Sequence, residues 1–507
     1  MPKPFSHPIL SCSASHEWEQ ELLKSEEDAW QAMLRVGVKL GRGIRDFYAM
    51  SSFPQSGLRV LALVGKGHNG GDALLALAAL ALEEGYLRQV DIVLSSELDA
   101  LKPNTKRALG LLQERASIVF LQASDLRGTG EVFDICIDGL LGMQFRPPLR
   151  ERITDLIETV NEVSKIRLRV AVDLPSGVGD ESDERAFRAD VTFATGIFKQ
   201  PLLGCRNAGV IRYLDIGFFE NDRTAVNRVV TDQILDPLRG VRSAFSEKRQ
   251  HGHLAILAGS RGMPGALAMA VRAALQSGVG LVTVFAPESV VSQLACTLPE
   301  AMWRTWPETP EGGLALEGLW QIKSIAGKAT ALLVGPGMGN EAETQALLCE
   351  VGRYWNKPAV LDADALRPEV VDSFLASELI LTPHDGEFKR LASVDEVSDA
   401  DVLGYAKERG LTLVKKGSST RVCDGEALYV NPTGNAVLSR GGSGDLLAGL
   451  MAGLLAEGSG SSTEVACRAV YWHGKAADLL AVSKGQVATR TTDLLDYLVP
   501  ALRGDAG

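Results

Sequence analysis

The run RVLALVG at residues 59–65 carries one charge at its start, none afterwards, and breaks off at a glycine. A strand with one wet face alternates apolar and polar residues; a strand covered on both faces does not. The same unalternating character recurs at VDIVLS (90–95), FDICIDG (133–139), LRVAVDLPSG (168–177) and ADVTFAT (189–195), with helical stretches between most of them. Such strands, separated by helices, make a mainly parallel sheet between helix layers. An amphipathic helix over residues 17–47 is expected before the sheet.

A second block begins near KRQHGHLAILAGS (248–260) and continues through GLVTVFAP (280–287), ATALLVGPG (329–337), KPAVLDADAL (357–366), SELILTPH (377–384) and LTLVKKGS (411–418). At 507 residues the chain is too long for one ordinary core. The expected fold class is α/β, with two layered α/β/α domains: a Rossmann-like sheet first and a ribokinase-like fold second. The polar stretch 220–247, with ENDRTAVNR and DPLRG, marks the boundary and gives domains at 1–225 and 226–507.

The net charge of −11 argues against a nucleic-acid partner, which would need a basic face. The oiliest run, ALLALAALAL from Ala73, is half the roughly 20 residues that cross a bilayer, so no membrane partner is expected. The N-terminus lacks a cationic head followed by an apolar core; no secretory signal is read, and the cytoplasm is the default. The seven cysteines (12, 136, 205, 296, 349, 423 and 467) form no CxxC and read as reduced thiols. Most should be buried, with Cys12 and Cys423 the candidates for exposure.

VGKGHNGGDALL leaves a strand and enters a helix, and Gly65, Gly67 and Gly70 fit GxGxxG. A dinucleotide site also needs an acid at the end of the next strand. Asp91 stands at the start of that strand, whose end reads Leu-Ser-Ser-Glu, so hydride transfer is disfavoured. Bare amides at a helix N-terminus bind anionic oxygen in any family, while close strand-to-helix packing is the plainer use of such glycines. Asp138 closes FDICIDG, and Asp173 and Ser176 lie in VDLPSG, at strand ends where ligands gather. Asn69, Asp138 and Ser176 are hard oxygen donors suited to K⁺ more than to zinc; capping of helices or turns is the alternative.

GKGHNGGDALL, CIDGLLG, VAVDLPSGV and ADVTFATGIFKQPLL, in this order, resemble the NAD(P)H-hydrate epimerase domain over about residues 15–220. The resemblance implies hydrate contacts at His68, Asn69, Gly70, Gly71 and Asp72, at Gly142, Met143, Gln144, Phe145, Arg146, Pro147 and Pro148, and at Asp173. It also implies K⁺ at Asn69, Asp138 and Ser176. His68 stands where the family usually has Asn, and Ala73 where Gly is common. Lys199 aligns with a lysine frequent in the family; a solvated surface lysine is the other reading.

GGSGD, residues 441–445, places Asp445 between a glycine loop and an oily helix and resembles the GxGD signature of the ribokinase-like superfamily. The loop amides and helix dipole can face a phosphate, and Asp445 can take the proton of an attacking hydroxyl. A helix N-cap is the alternative. AGSRGMPGALAMAVRAALQSGVGLVTV, LLVGPGMG, VLDADAL, LTPHDGE, VKKGSST and GNAVLSRGGSGD follow the order of the ADP- or ATP-dependent NAD(P)H-hydrate dehydratases, over about residues 240–505. This implies hydrate contacts at Ala266, Gly337, His384 and Asp445, and nucleotide contacts at Lys416, Gly417, Ser418, Ser419, Thr420 and Gly444. Asp362 and Asp364 either assist Mg²⁺ or cap the next helix, the cap being slightly preferred.

Together the halves resemble the bifunctional NAD(P)H-hydrate repair enzymes. The resemblance implies two reactions on hydrated NADH and NADPH (NADHX and NADPHX). The first half interconverts the R and S hydrates, with Asp173 as acid–base. The second phosphorylates the C6 hydroxyl of the S hydrate using ADP, with ATP the alternative donor and Mg²⁺ accompanying it. Elimination then restores NAD(P)H and releases AMP and phosphate. A homo-oligomer is implied. The competing reading is a ribokinase-like small-molecule kinase with a non-catalytic N-terminal ligand-binding module.

Overall fold

The structure is a computed structural model that describes residues 4–128, 130–220 and 225–504. It divides into two compact units, Met1–Ala225 and Val226–Gly507.

In the first unit a parallel sheet runs Ile118–Leu121, Leu87–Leu94, Leu58–Val64, Phe133–Gly139, Ile166–Val172, Val191–Thr195, Val210–Leu214. The chain starts this sheet at Leu58–Val64, works outward to one edge, then returns to build the other side. The reversal lies between Leu58–Val64 and Phe133–Gly139, where Val64 pairs with Gly139 and the two following loops part. A crevice of this kind is where open α/β sheets bind ligands. Val60, Ala62, Val64, Ile135, Ile137, Val170 and Val172 lie fully buried on one sheet face, and Leu61, Leu63, Cys136 and Ala171 on the other, which accounts for the missing alternation.

The helix expected over 17–47 is two helices, Cys12–Leu22 and Glu26–Ala49. Ser25 separates them: its side chain accepts from Asp28 N at 3.1 Å, and Glu26, Glu27 and Asp28 complement the new N-terminus. A strand not anticipated, Ser6–Leu10, pairs with Phe198–Lys199. The sheet edges Ile118–Leu121 and Val210–Leu214 were not anticipated either: the first is an apolar run of four residues and the second is broken by Arg212; Val119 and Phe120 are exposed.

In the second unit the order is Met302–Trp306, Leu281–Pro287, His253–Leu257, Ala331–Val334, Ala359–Leu361, Leu379–Leu381, Thr412–Lys415 in parallel. Arg421–Cys423 and Leu428–Val430 extend it antiparallel, and Asn227–Val230 pairs with Leu428–Val430. Asn227–Val230 belongs to the stretch read as linker, so that stretch is partly sheet. The oily helix is Ser443–Glu457, buried throughout Leu446–Ala456 against Pro264–Gln276. Its glycines permit that approach: a Cβ on Gly449 would lie 2.0 Å from Ala270 O.

The seven cysteines are free thiols. Cys12 and Cys423, the candidates for exposure, are both buried, by the start of the first helix and by a hairpin strand; Cys296 is exposed instead. Among the described residues no helix is long and apolar enough to cross a membrane.

Candidate functional site

The first unit gathers its polar residues on the C-terminal rim of the sheet. The loop Gly65–Gly67 leads into the helix His68–Leu80. Its glycines have different tasks. A Cβ on Gly65 would meet Leu140 O at 1.9 Å and one on Gly70 would meet Gly65 O at 2.2 Å, so both serve close packing. Nothing lies within 4 Å of a Cβ on Gly67, the residue before the helix, so space is open there. Thr105 Oγ1 and Lys102 N hold the loop by donating to Gly67 O and Lys66 O, each at 2.9 Å.

Asn69, Asp138 and Ser176 converge. Ser176 Oγ donates to Asp138 Oδ1 at 2.7 Å, and Ser176 N to Oδ2 at 2.7 Å. Leu141 N donates to Ser176 Oγ, while Asn69 Nδ2 donates to Leu141 O at 2.7 Å. Asp138 is fully buried and makes no ion pair among the described residues. Burial pushes its carboxyl up to about 6 against hydrogen bonds from Ser176 and Leu140. A buried carboxylate beside amide and hydroxyl oxygens, without a cationic side chain, fits a monovalent metal ion.

Asp173 follows the strand Ile166–Val172 with φ 67°, a left-handed backbone that Asp tolerates better than most residues. Its Oδ1 accepts from Thr195 N and Oγ1 at 3.1 Å and from Lys199 Nζ at 2.5 Å. Lys199 is not a surface residue: its side chain is 0% exposed, and its strand lies against Ser6–Leu10. Asp72 is also buried, its Oδ1 lacks a hydrogen-bond partner, and burial with Asp173 and Glu19 nearby holds it well above the usual carboxylate range. His68 is exposed at the helix start.

The 142–148 loop divides. Gly142 approaches Asn69, while Phe145 is buried with Leu140 and Leu149 as an anchor of the loop. Gln144, Arg146 and Pro148 are exposed; Met143 and Pro147 are half-buried. Gly70 and Gly71 are buried in the helix, Gly71 beneath Met33. Asp91, the acid in the strand after the glycine loop, is fully buried in mid-strand rather than at its end, 2.5 Å from Arg59 Nε.

In the second unit Lys416 is the hub. Its Nζ lies 2.8 Å from Asp362 Oδ1 and 3.9 Å from Glu387 Oε2, and a Cβ on Gly444 would stand 3.5 Å from it. Burial pulls the ammonium's pKa down, but Asp362 and Glu387 outweigh it and raise Lys416 above its usual range. Lys415 turns away to Asp385 at 2.9 Å. Gly417 and Ser418 are exposed, and Ser419 and Thr420 half-buried, in the turn before Arg421–Cys423.

Asp445 is not the helix cap. Gly442, at φ 90°, occupies that position and makes no side-chain cap, which leaves Asp445 in the first turn. Burial, then Asp362 and Asp364, push its carboxyl up to about 6 despite Lys416. Asp362 and Asp364 do not cap either: the short helix Ala363–Ala365 has no side-chain cap. Thr382 Oγ1 donates to Asp362 Oδ1 at 2.6 Å, while Gly339 N donates to Asp364 Oδ2 at 2.8 Å. Ala363 between them is left-handed, φ 49°.

Gly337 and Ala266 are brought together: a Cβ on Gly337, at φ 64°, would lie 3.0 Å from that of Ala266. His384 caps Asp385–Ala392 through Nδ1, accepting from Gly386 N and Glu387 N, and remains exposed. His384 thus follows the structural reading while its ring stays exposed, and its backbone neighbours Lys416, whose N donates to Pro383 O at 2.8 Å.

Sequence reasoning assigned no role to Glu387, although it closes the quoted LTPHDGE motif; standing three residues after His384, a capping-box spacing, it offered a signal.

Two family matches divide the chain. Residues 31–201 match the family described as YjeF-related protein N-terminus, and residues 254–500 the one described as NAD(P)H-hydrate dehydratase. The curated bifunctional NAD(P)H-hydrate repair enzyme Nnr of Moorella thermoacetica is 32% identical over 473 residues, covering 88% of this chain and 87% of the relative. Its counterpart in Gloeobacter violaceus is 33% identical over 504 residues, covering 93% of each. Among solved structures, the ADP/ATP-dependent NAD(P)H-hydrate dehydratase of Bacillus subtilis, co-crystallised with ATP and Mg²⁺, is 27% identical, with TM-score 0.47, over 54% of this chain and 97% of that one.

Proposed function

The chain belongs to the bifunctional NAD(P)H-hydrate repair enzymes, and from that premise we propose a division of labour between its two sites. The first unit is the epimerase and the second the dehydratase.

In the second unit Asp445 is the base. It takes the proton of the S hydrate's C6 hydroxyl as that oxygen attacks the terminal phosphorus of ADP, or of ATP as the alternative donor. Lys416 and the amides from Gly444 face the phosphates, and the helix from Ser443 adds the positive end of its dipole. Phosphate then leaves C6 where hydroxide would leave poorly, returning NAD(P)H and phosphate, with AMP left from ADP or ADP left from ATP. Mg²⁺ neutralises phosphate charge in such transfers. Mg²⁺ would arrive with the nucleotide and would supply that neutralisation beside Lys416 and Asp445. Ala266, Gly337 and His384 shape the hydrate side.

In the first unit Asp173 assists departure and return of the hydrate's oxygen, with Lys199 compensating its charge. Asn69, Asp138 and Ser176 would hold K⁺ and order the oxygens around it. His68 through Asp72 and the 142–148 loop contact the nucleotide hydrate.

The convergence of Asp445, Lys416 and Asp362 carries the reading. Following both hydrate epimers by chromatography, with and without ADP, tests it. Recovery of NAD(P)H from both epimers with ADP, and R/S exchange without it, is the expected result. Accumulation of a stable phosphorylated alcohol would overturn it.

A further inference from the structure

Asp138 and Asp173 stand at the C-terminal ends of neighbouring strands, yet their carboxyls are engaged differently. Both oxygens of Asp138 are taken. Oδ1 accepts from Ser176 Oγ at 2.7 Å and Leu140 N at 3.2 Å, and Oδ2 from Ser176 N at 2.7 Å. Asp173 receives every donor on one oxygen. Thr195 N and Oγ1 at 3.1 Å and Lys199 Nζ at 2.5 Å all reach Oδ1. Oδ2 has no hydrogen-bond partner among the described residues and remains open to solvent.

The donors come from one short stretch, residues 195–199, that folds back on itself. The strand Val191–Thr195 ends, and Gly196, at φ 69°, turns the chain. Ile197 N donates to Thr195 O at 2.7 Å, and Lys199 Nζ returns to the same carbonyl at 3.0 Å. Two contacts with the strand Ser6–Leu10 hold this turn. Leu10 lies opposite Lys199 in the parallel pairing, and Tyr213 OH, which meets His7 Nδ1 at 2.8 Å, donates to Gly196 O at 2.8 Å. Lys199 is fully buried, so its ammonium carries a desolvation cost that Asp173 and Thr195 O offset. A carboxylate oxygen has room for about two in-plane donors. With three donors Oδ1 is saturated, and turning the carboxylate about its Cβ–Cγ bond would break all of them together.

We propose that Lys199 is a positioning residue for epimerisation: sharing Oδ1 with Thr195, it locks the carboxylate so that Oδ2 alone meets the hydrate's C6 oxygen. The inference deepens the epimerase reading above and rests on it. Asp173 keeps its acid–base role, now assigned to one oxygen, and Lys199 acts through Asp173 without touching the hydrate. A carboxylate free to turn would still contact the hydrate, but would meet the moving oxygen in productive geometry less often. The effect therefore falls on kcat and leaves KM nearly unmoved.

The test uses the full-length wild type, Lys199→Met, Lys199→Arg and Thr195→Val, without ADP. Formation of R hydrate from purified S hydrate is followed by chromatography over a range of hydrate concentrations, above the buffer background. Near-UV circular dichroism at the assay temperature gives the folded fraction to which each kcat is referred. Lys199→Met should lower kcat roughly a hundredfold and hold KM within about threefold. Lys199→Arg, which keeps a cationic donor, should regain at least about tenfold over Lys199→Met. Thr195→Val removes Oγ1 but keeps Thr195 N and Lys199, and should lower kcat about tenfold. ADP-driven dehydration of the S hydrate should be the same in all four proteins. A wild-type kcat in Lys199→Met, or a loss carried by KM, would overturn the proposal. So would equal losses in Lys199→Met and Lys199→Arg with Thr195→Val at the wild-type rate, the pattern of a purely structural lysine. Should Lys199→Met fail to fold, a wild-type kcat in Thr195→Val would decide against the lock. A wild type no faster than buffer would instead sink the epimerase reading, and the role of Lys199 with it.

Discussion

Lys416 Nζ stands 2.8 Å from Asp362 Oδ1, tying the turn that follows Thr412–Lys415 to the end of Ala359–Leu361. Removing the cation leaves Asp362, 1% exposed, buried with Thr382 as its donor. Lys416→Met should therefore lose about 3 kcal/mol of unfolding free energy and raise the KM for ADP at least about tenfold. Urea unfolding and ADP titration of dehydration measure the two effects. A variant with unchanged nucleotide affinity would remove Lys416 from the phosphate site.

Dehydration should fall as pH drops through about 6, because Asp445 must be ionised to act as base and burial has raised it there. The linkage to stability has the opposite sense. A carboxyl raised in the folded state contributes stability below its unfolded pKa of 3.8 that is lost as pH rises through about 6. Asp445→Asn should thus be inactive yet more stable than wild type at pH 8, by on the order of 1–3 kcal/mol, with the gain absent near pH 3. Unfolding at the two pH values, paired with activity, decides the matter.

Gly70→Ala and Gly67→Ala should separate packing from binding. The first drives a methyl to 2.2 Å from Gly65 O and should cost about 1–3 kcal/mol. The second meets nothing within 4 Å and should leave the thermal midpoint in place while weakening hydrate binding at the helix N-terminus. Equal stability of the two variants would contradict the packing described for Gly70.

Potassium should stabilise the first unit. Asp138 has no cationic partner among the described residues, so an ion bound only to the folded state raises the unfolding midpoint with concentration. A thermal titration with KCl against tetramethylammonium chloride at fixed ionic strength is the measurement. Asp138→Asn should flatten the response and slow epimer exchange while sparing dehydration.

Much of this architecture was legible because strands buried on both faces leave unbroken apolar runs and glycine loops mark where they end. The edges were not: Ile118–Leu121 is a run of only four residues, half of it exposed, and Met302–Trp306 is broken by Arg304 and Thr305. The motifs pointed to Asp138, Ser176 and Asp445 through their position at strand ends and loops. They could not reveal that Lys199 is buried against Asp173, since a single lysine looks alike whether a strand covers it or water does. The approach of the helix Cys12–Leu22 to the loops of the first site was hidden for a related reason: its contacts with Asp180 and Gln144 join residues more than a hundred positions apart.

The left-handed alanine at 363 makes neighbouring acids answer to different elements, Asp362 to Lys416 and Asp364 to Gly339. A backbone conformation worth about 1–2 kcal/mol of strain holds that split in place. The same link narrows what redesign can do here. Lengthening or shortening this corner by one residue would exchange the bearings of the two acids, so new specificity is better sought in the exposed turn at Gly417 and Ser418, where the protein can absorb change without losing its compass.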